Sequence, residues 1–329
     1  MQDTASTSPP VVVLTGASSG IGRATAHRLA ARRADVVLAA RDAHTLQTVA
    51  DECQRRGGRV LVVPTDVADA NAVADLARAA IERFGRIDVW INNVGVGAVG
   101  LFDQVPLSLH RRVTESNLIG HMNGSHAALA HFRERRRGTL INMISLGGWI
   151  PAPYAAAYSA SKFGLRGFTE SIRAEMSALP DVHVCAVYPT FVDTPGVDHG
   201  ANQVGRRLRP PSPLLDPREV ARAVVSLIDA PRATVMVGAA GAPARLAHAL
   251  APQLTGRIGR RAMEKALSRA GPADTGNGNL FEPSAGTAID GGHRRPSSSP
   301  VAPLAVGAMI ALGLGLLASK TARRRFARL

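Results

Sequence analysis

Short apolar runs alternate with longer amphipathic ones over the first 240 residues. Runs at 11–15, 36–40, 60–64, 89–92, 139–144 and 182–187 are rich in Val, Leu and Ile. Runs this short and this continuously apolar predict strands covered on both faces. Between them, apolar positions recur with helical spacing, predicting helices to about Arg32 and over 43–56, 69–84, 109–136 and 156–180. Asp216-Pro217-Arg218-Glu219 is a further helix start, with an acid at the cap, proline first and glutamate third. Residues 235–237 add a possible seventh strand. Regular alternation of strand and helix implies parallel pairing through right-handed crossovers, hence an α/β fold with a doubly wound, mainly parallel sheet. Ligands in such sheets bind beyond the carboxyl ends of the strands. A chain of 329 residues holds one such domain, expected at 10–250, after a disordered stretch 1–9 and before a tail.

The strand ends carry the chemistry. The first runs directly into Gly16-Ala17-Ser18-Ser19-Gly20-Ile21-Gly22 and then a helix. Glycines there let a backbone approach a pyrophosphate, and the helix amino terminus attracts its charge. The spacing Gly-x-x-x-Gly-x-Gly is one residue wider than the usual dinucleotide fingerprint. At the end of the second strand an acid would take the ribose 2′-hydroxyl of NAD, whereas an arginine suits the 2′-phosphate of NADP. Ala40-Arg41 therefore favours NADP with NAD possible, Asp42 being a helix cap. Asp66-Val67 follows the third strand and Asn93-Val94-Gly95 the fourth, on the same side of the sheet.

Tyr158-Ser159-Ala160-Ser161-Lys162 lies on a predicted helix, where residues four apart share a face. A cation close to a phenol favours the phenolate and lowers a pKa near ~10. Tyr158 is thus a candidate general acid/base and Lys162 its partner.

Charge and composition narrow the class. The formal charge is +14, but the arginines are scattered in pairs that flank several helices. With only 4% aromatic residues and no nucleic-acid-binding motif, this is solvated surface charge and nucleic acid is not an expected partner. Cys53 and Cys185 make neither a disulfide framework nor a metal motif, and Cys185 reads as core. None of the ten histidines has a ligand spacing, so no metal is expected. The amino terminus shows no secretory signal, which places the folded part in the cytosol.

Taken together, residues 10–240 resemble the short-chain dehydrogenase/reductase family. The resemblance rests on Thr15-Gly16-x-x-x-Gly20-x-Gly22, Asn92-Asn93-Val94-Gly95, Asn117, Ser145 and Tyr158-x-x-x-Lys162, in family order. It implies a Rossmann-like fold and hydride transfer between nicotinamide and a carbonyl or secondary alcohol, with Asn117, Ser145, Tyr158 and Lys162 as catalytic residues. Tyr158 would exchange the proton and Ser145 hold the same oxygen. Lys162 would lower the tyrosine pKa and hold the nicotinamide ribose, and Asn117 would position a water-linked proton path to Lys162. Cofactor contacts would come from Gly16, Ser18, Ser19, Gly20, Ile21, Gly22, Arg41, Asp66, Val67, Asn93, Gly95, Tyr158, Lys162, Pro189, Val192 and Thr194. Two departures stand out: Val94 replaces the family's alanine, which would narrow the cofactor groove, and Pro189-Thr190 replaces Pro-Gly. Residues 190–215, rich in Pro and Gly, read as a substrate lid, with substrate entering between it, Ser145 and Trp149-Ile150. A non-catalytic, cofactor-sensing membrane scaffold is the alternative class.

After about residue 250 the composition changes. Residues 257–269 predict a basic helix, and 271–300, rich in Gly, Pro, Ser and Asn, a flexible linker. Residues 301–319 carry no charge and are followed by a basic end, 320–329. Eighteen apolar residues barely span a bilayer, so this C-terminal apolar helix reads as a membrane span, with an interfacial helix or a soluble oligomerisation helix as alternatives. Membrane lipid and a lipophilic substrate are then expected partners. The long helices 109–136 and 156–180 are expected pairing surfaces for a homo-oligomer.

Overall fold

The computed structural model describes residues 8–294 except 285 and 287; the expected apolar helix 301–319 and basic end 320–329 lie outside the described residues. The first half contains β1 (Val11–Thr15), α1 (Gly20–Ala31), β2 (Asp35–Ala40), α2 (Ala43–Arg55), β3 (Arg59–Pro64), α3 (Ala70–Phe84), β4 (Val89–Asn92) and the two-residue β5 (Ala98–Val99). Then follow α4 (Leu107–Thr114), α5 (Gly120–Arg135), β6 (Gly138–Met143), α6 (Ala156–Glu175) and β7 (Val182–Pro189). The chain continues through α7 (Gly196–His199), β8 (Ala201–Asn202), α8 (Pro217–Asp229), β9 (Thr234–Val237), α9 (Gly241–Leu250) and α10 (Pro252–Arg269).

Seven strands form one sheet in the order β3-β2-β1-β4-β6-β7-β9, every pair parallel. The strand order reverses between β1 and β4, the switch point at which the crevice of a doubly wound sheet opens. Alternation along β1 sends Val12 and Leu14 to one face, among α1, α2 and α8, and Val13 to the other, among α3 and α5. Both faces being covered, every residue of β1 is buried, which is why the run reads as continuously apolar. Both cysteines are free and buried in the core, and burial pushes the Cys53 thiol up to about 12.

The helix starts follow local chemistry. Asp42, Asp69 and Asp216 cap α2, α3 and α8 with their side chains, and Gly85 closes α3 in the left-handed region at φ 79°. The single helix expected over 109–136 is two, α4 and α5, joined by a π-helical turn at Glu115–Ile119 that carries Asn117. Extra-wide turns of this kind recur at functional sites.

The stretch read from composition as a linker behaves differently. The described residues of 271–294 form a strap that returns across the carboxyl edge of the sheet. It bridges Pro272 to Arg206 and Gly276 to Asn202 of the lid. Farther on, buried Asp193 accepts the amides of His293 and Arg294, and Arg218 pairs with Asp290. Main-chain groups and charges hold the strap, with Leu280 as its one buried hydrophobic residue among those described.

Candidate active site

The glycine turn after β1 is braced from the end of β4. The Asn93 side chain donates to the Thr15 and Gly16 carbonyls at 3.3 and 3.1 Å, and its backbone N–H donates to the Thr15 hydroxyl at 3.1 Å. Gly16 sits at φ 65°, and a Cβ on Gly22 would come within 1.9 Å of the Gly16 carbonyl oxygen. Only glycine fits there. Ser19 caps α1 without a side-chain hydrogen bond, and the first turn holds no acid, so the positive helix end has no anionic partner of its own. Asn93 Oδ1 is buried without a hydrogen-bond partner. A cradle that a Cβ would fill, a helix end with no side-chain cap or acid, and an orphaned polar atom fit a dinucleotide phosphate group. Ser18 and Ile21 lie on this turn, and the Thr194 side chain stands over Gly20.

Arg41 directly follows Ala40, the last residue of β2, as expected. Its guanidinium donates to the main-chain carbonyls of Leu280 at 3.0 Å and of Asn279 and Glu282 in the strap. Arg112, which no sequence signal marked, donates to the same Leu280 carbonyl at 2.8 Å and to Asp66. Burial works against the Asp66 carboxylate, yet the hydrogen bonds from Arg112 and the Ala68 amide, with the charges of Arg112 and Arg41, together hold the pKa below its ordinary value. Val67 is buried against Gly120, where a Cβ would clash.

The four expected catalytic residues converge from β6, α6 and the π turn. Ser145, at the end of β6 and at a positive φ of 145°, accepts from the Gly147 amide at 3.0 Å and faces the Tyr158 phenol. A Cβ on Gly147 would sit 3.0 Å from Tyr158 Cε1, so this glycine makes room for the ring. Lys162, 2% exposed, donates to the Met143 carbonyl at 3.1 Å and lies 5.9 Å from the Tyr158 ring centroid. Gly95 leaves open the space beside its ammonium.

The expected pKa logic is corrected in one respect. Burial raises the Tyr158 pKa, and the Ser145 hydrogen bond only partly opposes it. Burial also brings Lys162 down to about 7, so the ammonium loses much of the charge that was to favour the phenolate. Asn117 accepts from the Val96 amide at 2.8 Å and donates to the Val96 carbonyl and the Ser161 hydroxyl. Its side chain is thereby committed to pinning the 93–97 loop onto α6, and does not itself reach Lys162. One turn on, His121 is buried with Nε2 unpaired, and burial holds it well below its ordinary pKa.

The two departures from the family pattern have packing explanations. Val94, half-buried, packs against the core face lined by α3 and α5. Thr190 fills space left by Gly238, where a Cβ would lie 2.3 Å from its hydroxyl. Pro189 ends β7, and Val192 bridges to Leu215 at the base of the lid. Trp149 is stacked between the Arg166 and Arg245 guanidiniums at 3.3 and 3.7 Å, tying the loop after Ser145 to α6 and α9. An open cavity of about 340 Å³ lies between Leu101, Tyr154, Arg206 and Leu267, and no expected site residue lines it.

A glycine cradle at the switch point beside a Ser-Tyr-Lys constellation defines a nucleotide-dependent oxidoreductase. Residues 10–203 match the short chain dehydrogenase family model. The chain is 34% identical over 260 residues to the uncharacterized oxidoreductase YxnA of Bacillus subtilis, covering 78% of this chain and 72% of that one. It is 35% identical to the 11-beta-hydroxysteroid dehydrogenase A of Sesamum indicum over 56% of this chain and 53% of that one, so it spans about half the length of that relative. Among solved structures it resembles the Thermococcus sibiricus alcohol dehydrogenase complexed with 5-hydroxy-NADP. The TM-score is 0.61 with 28% identity, covering 70% of this chain and 96% of that one. The chain belongs to the short-chain dehydrogenase/reductase family and is an oxidoreductase.

Proposed function

We propose that this oxidoreductase uses NADP to interconvert a carbonyl and a secondary alcohol. The observation that carries the reading is the convergence of Ser145, Tyr158 and buried Lys162 at the carboxyl end of β6, beside the glycine cradle. The nicotinamide supplies or accepts the hydride. In reduction Tyr158 Oη gives its proton to the substrate oxygen, and in oxidation it takes one back. The Ser145 hydroxyl donates to that same oxygen and steadies developing charge. A raised phenol pKa suits Tyr158 to the role of acid, because it stays protonated at neutral pH. Lys162, its pKa brought down to about 7 by burial, accepts and returns a proton behind the phenol. Asn117 positions the loop that borders this space. The cradle residues Gly16, Ser18, Ser19, Gly20, Ile21 and Gly22, with Asn93 and Thr194, hold the pyrophosphate, and Arg41 takes the 2′-phosphate.

A lipophilic substrate is part of the proposal, supported by the name of the sesame relative. So is attachment of a cytosolic domain to membrane through 301–319. Among the described residues no helix is long and apolar enough to cross a membrane. α10 supports surface attachment, since it exposes Leu254 and Ile258 alongside Arg257, Arg261, Lys265 and Arg269. Exposed Ile119, Met122 and Phe163 support pairing of copies through α5 and α6.

Tyr158→Phe tests the chemistry. Turnover of an aldehyde and ketone panel with NADPH should fall by roughly 10²-fold or more, with nucleotide binding retained. Unchanged turnover would sink the assignment.

A further inference from the structure

Arg41 and Arg112 come from different elements, yet both donate to one oxygen, the Leu280 carbonyl, at 3.0 and 2.8 Å. A carbonyl is a neutral acceptor. Of the two guanidiniums Asp66 bonds only that of Arg112, so two guanidiniums face one carboxylate and the seat keeps a net positive charge. Burial disfavours the Arg41 charge, the Asp66 carboxylate partly offsets this, and Arg112 works against it. An anionic oxygen would satisfy the seat better than a peptide carbonyl does.

The strap meets the cradle a second time. Gly20 N–H, at the α1 amino terminus, donates to the Ala288 carbonyl at 2.9 Å. One N–H cannot fully serve a strap carbonyl and a phosphate at once. At the first of these points the Leu280 side chain is 1% exposed, in the cluster of Ala98, Leu109 and Val113 against which Tyr158 packs.

We propose that Arg41 and Arg112 form a two-guanidinium seat for the 2′-phosphate of NADP, that the strap carbonyls of Asn279, Leu280 and Glu282 occupy it in the nucleotide-free protein, and that the 2′-phosphate displaces them. Arg112 is then a determinant of cofactor choice that the family motifs do not include. The strap makes binding depend on the phosphate, because NADH brings no anion strong enough to displace the Leu280 carbonyl. The inference rests on the NADP reading above.

The test uses the full chain. Hydrogen exchange over 276–294 is compared without nucleotide, with NADPH and with NADH, and dissociation constants come from nicotinamide fluorescence. NADPH should speed exchange at 279–288, and NADH should do so less. Arg112→Gln should weaken NADPH by roughly 10- to 100-fold and NADH by little, the range expected for one hydrogen bond to a charged group. Leu280→Ala should tighten NADPH about tenfold or more, because the strap loses its buried anchor. Exchange unchanged or slowed by NADPH overturns the displacement. Equal losses of both nucleotides in Arg112→Gln overturn the seat and leave Arg112 a structural residue. If the wild-type chain binds neither nucleotide, the cofactor reading itself fails and takes this inference with it.

Discussion

The Lys162 ammonium donates to the Met143 carbonyl at 3.1 Å, two residues before Ser145. A buried cation held by a single neutral carbonyl is poorly compensated, and its pKa falls to about 7 from 10.5. Below about pH 7 the side chain is charged in both folded and unfolded chains, and the folded state bears the whole desolvation cost. Between about 7 and 10.5 the unfolded chain still holds the proton that the folded one has released, so stability rises with pH. Lys162→Met should therefore be more stable than wild type at pH 6. Its advantage should shrink by about 1.4 kcal/mol per pH unit across that window. Urea unfolding of both proteins at pH 6, 8 and 10 measures the gap, and a constant gap would contradict the depressed pKa.

Gly147 has its own consequence. Added as alanine, its Cβ would meet Tyr158 Cε1 at 3.0 Å, and the ring must shift by a few tenths of an ångström relative to Ser145. Small misplacements at reacting atoms cost orders of magnitude in rate. Gly147→Ala should keep nucleotide affinity and lower kcat by roughly tenfold or more, with Tm nearly unchanged. Wild-type kcat in this variant would show that the phenol position is not set by this contact.

Much of this arrangement was legible in the sequence, and the reasons are local. Strands covered on both faces must be continuously apolar, so β1, β2, β4, β6 and β7 betray themselves. Tyr158 and Lys162 share a helical face by spacing alone. What the sequence hid depends on tertiary burial. The sign of the Tyr158 shift follows from desolvation that no spacing encodes, with Lys162 losing its charge through the same burial. The strap hid because main-chain carbonyls hold it, and every sequence has those. Buried Leu280 and the ion pairs of Asp290, His293 and Arg294 at its far end distinguish this stretch from a free linker. Arg112 was invisible because arginines are common here and its partners, Asp66 and Leu280, are 46 and 168 residues away.

The Thr190 departure predicts a coupled pair. Gly238, at φ 108°, leaves room for the Thr190 hydroxyl that an added Cβ would approach to 2.3 Å. Gly238→Ala should cost roughly 1–3 kcal/mol through backbone strain and overpacking. Thr190→Gly removes the clash but not the strain, so the double variant should recover part of the loss. A double-mutant cycle by thermal unfolding reads the coupling, and strict additivity would mean the contact is unimportant.

Membrane attachment makes a prediction local to α10. Leu254 and Ile258 lie four apart, and the basic row 257, 261, 265 and 269 runs beside them, so both groups can meet an anionic bilayer together. Binding of the full chain to vesicles containing anionic lipid should weaken as salt rises, because exposed charges are screened beyond about 10 Å at 0.1 M. Trp90 is fully buried, and Trp149 is stacked between two guanidiniums, so the native tryptophans stand apart from this face. A Leu254→Trp variant adds a probe on the apolar row itself. Brominated acyl chains should quench the added fluorescence in anionic vesicles and leave it unchanged in neutral ones. A chain that sediments with vesicles while the added tryptophan stays unquenched would place the attachment elsewhere, in residues 295–329. The basic row would then be ordinary solvated charge.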